Sequence, residues 1–348
     1  FESQLESVYR FLIAPDPWER VVVDNYRAHY EGVDNNLLAV RKAFLRPDSL
    51  VAVVMLTDED DSSIDLVGLG GSGWAYGAQD FPAPDALQSL AGRQRPDGGG
   101  TTAARGTSIC ATNPGSPDCT SCAYQYSCGN LSQAQCDKIK NDANCKENGG
   151  YHTPETDPTN VRFHHMKQRF GVDPLYPTSR YARGLSSPVV PNRWGEHDGS
   201  SNYVGSTDGM FGCTNPLFAK TLPSQAPSFA SQEALADGYA HGKFDWCKLP
   251  RGDRDPGLVY FAVVGGVPNE LVHFDPAKRE PNELTEDDWV KILGQSPAAY
   301  DERGMDPRMQ QSSSPRDGRR SSAPDSPSSD PGNTDHRDWK TGGTDLEY

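Results

Sequence analysis

Four consecutive acids, Asp58-Glu59-Asp60-Asp61, are the side chains in this sequence best suited to holding an ion. Carboxylates ionised at neutral pH supply the oxygen ligands that a hard cation such as Mg²⁺ or Ca²⁺ requires. Asp58, Asp60 and Asp61 are therefore the candidate metal ligands, and a row of solvated acids is the plain alternative. The same acids, with His164 or His165 as a base, would suit a metal-dependent hydrolase. Neighbouring histidines on a regular element point apart, however, and a lone histidine is more often structural.

The eight cysteines, Cys110, Cys119, Cys122, Cys128, Cys136, Cys145, Cys213 and Cys247, form the second group with chemistry to offer. Cys119-x-x-Cys122 has the spacing of a zinc knuckle. A zinc ribbon needs a second tight pair, whereas Cys128, Cys136 and Cys145 are irregularly spaced. The even count and the loop-rich setting favour disulfide staples in an exported protein, with the pairing left open. A redox Cys-x-x-Cys lacks the strand-to-helix junction it would need.

Three weaker motifs are set aside. Gly68-Leu69-Gly70-Gly71-Ser72-Gly73 matches a dinucleotide fingerprint formally, but Trp74, Tyr76 and a Pro-rich stretch follow where a helix should open, so it reads as a flexible glycine loop. Arg251-Gly252-Asp253 is too short to carry weight. Asn130-Leu131-Ser132 is a glycosylation sequon, relevant only in a eukaryotic secretory pathway.

The elements that must position these groups are legible in part. Leu50–Leu56 is an unbroken apolar run of strand length and leads directly into the acids; such runs are expected to be buried on both faces of a parallel sheet. Leu258–Val264 is a second run of this kind. Phe1, Leu5, Val8 and Leu12 share one helical face, ended by Pro15 and Pro17. A helix over 34–45 has Asp34 as N-cap, and one after Thr285 stops at Gly294. Phe163–Tyr181 is aromatic and basic and is expected to pack on the main domain.

Composition bounds what the chain can do. In 348 residues, 35% hydrophobic, there are 34 Gly and 28 Pro, so much of the chain is loop. The net charge of −15 argues against a nucleic-acid partner. No apolar run is long enough to span a bilayer. The chain starts at Phe1 inside a helical pattern and is read as a fragment or processed form.

Several patches, in order, resemble the von Willebrand factor A-like domain, and more narrowly a group of exported bacterial proteins that carry it. They include Phe1–Ser7, Phe44–Leu50, Val54–Asp61, Lys167–Asp173, Val264–Pro268 and Asp306–Met309. The resemblance implies an α/β fold with a doubly wound, mostly parallel sheet whose first strand lies upstream of Phe1. It makes residues 1–70 and 255–348 the A-like domain and 71–254 a loop-rich, disulfide-stapled insertion, with a cysteine lobe at 100–150; 311–335 reads as a disordered loop. It also implies a divalent cation, with Asp58 matching the ligand after the fourth strand. No D-x-S-x-S ligand loop is present in this sequence. The expected function is a non-enzymatic, exported binding module of the envelope or extracellular space, engaging an unknown protein or cell-surface ligand, with a lipid anchor upstream as one form of attachment. A metal-dependent hydrolase and a structural envelope protein without ligand are the alternatives.

Overall fold

The computed structural model of the chain describes residues 3–25, 27–57, 61–78, 93–94, 101–126, 128, 131–153, 156–157, 162–227, 245–265, 267, 271–272, 283–296, 303–306, 309, 339–341 and 344–346. It is a mixed α/β structure with a small parallel sheet and four disulfides. The chain divides into two compact units. The first comprises Phe1–Met55, Asp61–Leu87 and Pro174–Val264; the second comprises Leu56–Asp60, Gln88–Asp173 and Gly265–Tyr348. The predicted loop at 311–335 lies outside the described residues.

In the first unit, both expected strands form and pair with each other, Val51–Leu56 beside Val259–Val264. The expectation of burial on both faces is corrected. Val51, Val53 and Met55 are buried while Ala52, Val54 and Leu56 are exposed. Val259–Val264 is mostly exposed. Strict alternation is the mark of a sheet covered on one face only. A continuous apolar run says that neither face is polar, but it cannot say that both are covered. The described residues of this unit also form two antiparallel pairs: Arg20–Asp24 with Arg27–Glu31, turning at Asn25 (φ 47°), and Val189–Pro191 with Gly212–Thr214.

The buried face of Val51–Leu56 meets the N-terminal helix. That helix runs regularly over Gln4–Val8 and then widens into a π-helical turn, Tyr9–Ile13. The wider turn closes with the Ala14 amide donating to the Tyr9 carbonyl at 2.9 Å, and it turns Tyr9, Leu12 and Ile13 inward together. They share a core with Val51, Val53, Met55, Tyr176, Tyr181, Leu217 and Phe218. The helix Thr178–Ser186 approaches closely because residue 184 is glycine; a Cβ there would stand 2.9 Å from Ile13 Cδ1. Tyr176 and Tyr181 thus belong to the core of this unit.

Helix ends follow the sequence signals. Asp34 caps Asn35–Phe44, accepting from the Leu37 amide at 2.9 Å. In the second unit Thr285 and Asp288 form a reciprocal capping box for Glu286–Leu293, and Gly294 (φ 83°) stops it. Ser132 and Gln135 cap Gln133–Asn141 in the same way.

The cysteines pair as Cys110–Cys119, Cys122–Cys145 and Cys128–Cys136 in the second unit and Cys213–Cys247 in the first. Cys119 and Cys122 take different partners, so the knuckle spacing serves neither zinc nor redox exchange. Few large apolar side chains lie between 101 and 150, and the staples substitute for a larger core. Among the described residues, no helix is long and apolar enough to cross a membrane.

Candidate functional site

A concentration of buried charge lies in the first unit. Arg180, on the helix Thr178–Ser186, has its side chain only 3% exposed and joins two carboxylates. Its Nε donates to Glu196 Oε1 at 2.8 Å, and its Nη1 donates to Glu6 Oε2. Glu6 is carried by the N-terminal helix. Glu196 ends the short turn Arg193–Glu196, which Asn192 caps by accepting from the Trp194 and Gly195 amides. The guanidinium also lies against the rings of Tyr9 and Tyr176, 3.4 and 3.9 Å from their centroids. Burial pushes the Glu6 carboxyl above its ordinary range, with Arg180 opposing. Burial works against the charge on Arg180 as well, but Glu196 and Glu6 outweigh it and hold the cation firmly protonated.

A second pair stands in the same unit. His197 Nε2 and Asp65 Oδ2 are 2.6 Å apart. The glycine run explains how Asp65 is held. Gly68 donates its amide to Asp65 Oδ1 at 3.0 Å, and a Cβ at Gly73 would fall 2.0 Å from the Asp65 carbonyl oxygen. The run is therefore a tight wrap around Asp65, with Gly68, Gly71 and Gly73 buried, and the expectation of a flexible loop is corrected. Burial disfavours a charged His197, yet the hydrogen bond and charge of Asp65 and the charge of Glu196 raise its pKa overall. Tyr176 and Tyr203 put their rings around the imidazole, and the hydroxyls of Tyr30 and Tyr176 are 2.9 Å apart. A carboxylate–imidazole pair can orient a base or hold an imidazolium. Here the neighbours are aromatic, so the geometry suits holding charge.

Beside these groups is a small cavity of about 20 Å³, bounded by Glu6, Arg10, Trp18, Tyr30, Arg193 and Glu196 among others. It has room for an occupant of about the size of one water.

Of the expected metal ligands, Asp58 and Asp60 lie outside the described residues. Asp61 is described, and both its oxygens accept backbone amides: Oδ2 from Leu5 and Oδ1 from Ser63, each at 2.9 Å. With Ser63 Oγ accepting from the Glu6 amide at 3.1 Å, Asp61 closes the first turn of the N-terminal helix. Among the described residues, no three His, Cys, Asp or Glu side chains converge as a metal group would require. His164 and His165, in the second unit, stack at 3.8 Å, and His165 Nδ1 lies 2.6 Å from Gln168 Oε1.

The second unit presents a larger concavity, a groove of about 380 Å³. Its lining includes Ile109, Leu131 and Ile139, with Thr107, Asp118, Gln135 and Lys138 supplying polar groups. Cys119, bridged to Cys110, lines it, and the exposed side chains of Lys138 and Asp118 pair at 3.1 Å.

The sequence reading missed Asp65, Glu196 and His197 as site residues and took Glu6 and Arg180 only as parts of patterned segments. The one local signal was the glycine run three residues after Asp65. Compared with known protein families, curated proteins and solved structures, the chain matches none.

Proposed function

We propose that this chain is an exported, non-enzymatic binding module whose ligand-facing part is the cystine-stapled second unit. The groove beside Cys110–Cys119 carries the reading. Its volume of about 380 Å³ falls within the range of roughly 300–1,000 Å³ common for ligand sites. Cys119, bridged to Cys110, lines it, and Cys128–Cys136 ties down the helix that carries Gln135, Lys138 and Ile139, so little chain entropy is lost when an occupant enters. The half-buried Ile109 and Leu131 offer apolar contact, and the Lys138–Asp118 pair offers charges of both signs. That combination suits a peptide segment with an apolar side chain flanked by a charged one. Pairing of all eight cysteines supports an oxidising, exported setting.

The von Willebrand A-like scaffold belongs to the same proposal, and cation-dependent adhesion is the competing reading of how it binds. Their support is the ordered sequence resemblance and the acids at 58–61. The donor set of Asp61 does not favour a ligand role, because both of its oxygens already serve backbone amides. Binding through the groove is therefore expected without added Mg²⁺ or Ca²⁺.

A photo-crosslinking side chain at Gln135 tests the reading on the full protein in its native exported setting. Crosslinks to one discrete partner are expected, unaffected by chelator and reduced several-fold by Lys138→Glu. Crosslinks no stronger than those from the same probe at the exposed Ser186 would overturn it.

A further inference from the structure

The small cavity of the first unit has hydrogen-bonding needs of one kind only. Two buried donors on its lining lack partners, Arg10 Nε and Arg193 Nη1. The other nitrogens of Arg193, and Nη2 of Arg10, already have partners. Arg193 Nε reaches Asp16 Oδ2 at 3.2 Å, and Nη2 reaches the Asp16 and Gly32 carbonyls at 2.6 and 2.8 Å. Arg10 Nη2 donates to the Trp18 carbonyl and to Asp34, each at 2.8 Å. The side chain of Arg193 is only 8% exposed, so bulk water does not serve its free N–H. No carboxylate oxygen on the described lining is buried without a partner. A buried charged donor left unmet is costly, so an occupant that accepts from both is favoured.

We propose that this cavity is a binding site for a single monatomic anion, chloride in an exported setting, held by Arg10 Nε and Arg193 Nη1. Size and charge agree. The volume of about 20 Å³ admits something close to one water and excludes sulfate or phosphate. Arg10, Arg180 and Arg193 face three acids on the lining, Glu6, Asp16 and Glu196. Two of these acids are engaged by Arg180 and the third by Arg193, while Asp34 engages Arg10 through Nη2, so the unpartnered nitrogens of both lining arginines have no carboxylate of their own. An anion there would tie the N-terminal helix to the turn at Arg193, within one unit.

The test uses the intact chain at constant ionic strength, with chloride exchanged for gluconate. Chloride and bromide are expected to raise the melting temperature saturably, and sulfate is not. Chloride NMR linewidths should broaden with the protein and sharpen when bromide competes. Arg10→Lys keeps the charge opposite Asp34 but removes the Nε donor, and the saturable response should vanish in it. If that variant fails to fold, bromide diffraction from the native protein decides. A bromide peak within hydrogen-bonding distance of both Arg10 Nε and Arg193 Nη1 is expected. Equal melting temperatures and linewidths in chloride and gluconate, or a native cavity holding only water, would overturn the proposal.

Discussion

At the scale of single residues, this protein is governed by buried charges that complete one another. Arg180 between Glu6 and Glu196 is the clearest case. Arg180→Met would leave two carboxylates without their cation, and removing one partner of a buried pair costs roughly 3–5 kcal/mol. The loss should shrink on acidification, because a lone buried carboxyl can take up a proton. Urea unfolding at pH 4.5 and pH 7 checks both parts. His197 gives a pH signature of opposite origin to His152. The folded pKa of His197 lies above the ordinary 6.5. Its contribution is therefore complete below that value and fades as pH rises through the raised one. Asp65→Asn should abolish this slope and cost about 1.5–3 kcal/mol, seen by urea unfolding between pH 5 and 9. His152 is buried, with Phe170 edge-on at 5.2 Å, and burial pulls its pKa down to about 4. The unfolded chain then binds the extra proton, so stability falls as pH drops from 6.5 toward about 4, by on the order of 3 kcal/mol. His152→Phe should flatten that acid limb.

At the scale of elements, caps and close approaches decide where segments start and how near they come. Asp34 and Thr285 cap helices within three residues of themselves, which is why each could be read locally. Asp61 caps a helix 56 residues earlier, and no local pattern announces that. Asp61→Ala should lower stability by about 1 kcal/mol, the usual cost of a lost cap, and amide exchange should rise first at Leu5. Added Mg²⁺ should leave that value unchanged. The buried arginines act at this scale too. Arg41 donates to the Phe11 and Arg10 carbonyls at 2.6 and 2.8 Å, satisfying the end of the π-helical turn. Arg254 serves the carbonyls of Ser49, Leu217 and Arg46. Irregular segments expose carbonyls that no ladder can satisfy, and a guanidinium carries enough donors to serve several at once.

At the scale of the whole molecule, covalent staples supplement modest cores. The Cys213–Cys247 bridge closes a loop of 34 residues. Its loss in the Cys213→Ser, Cys247→Ser pair should cost about 2–4 kcal/mol, measured by thermal unfolding without reductant. In the second unit the three bridges lie within residues 110–145, and reductant should erase its cooperative transition. Mass analysis of the native protein should find no free thiol; eight free thiols would remove the basis for an exported setting.

The sequence by itself determined the features whose cause is local. Backbone capping by Asp34, Thr285 and Gly294, the two apolar strands, and stapling in place of zinc all follow from neighbours a few residues apart. The doubly wound sheet was an inference about coverage, and coverage depends on what packs above each face. Only the tertiary structure decided that Val54 faces outward while Val53 is buried. Only it decided the cysteine pairing, since spacing leaves many connectivities open. Only it brought Glu6 to Arg180, 174 residues away, and set the Asp65 carboxylate against His197, 132 residues on. Pairs of that kind form because a buried charge is tolerated only beside its complement. The partner is therefore chosen by the fold's geometry, which the order of residues along the chain does not display.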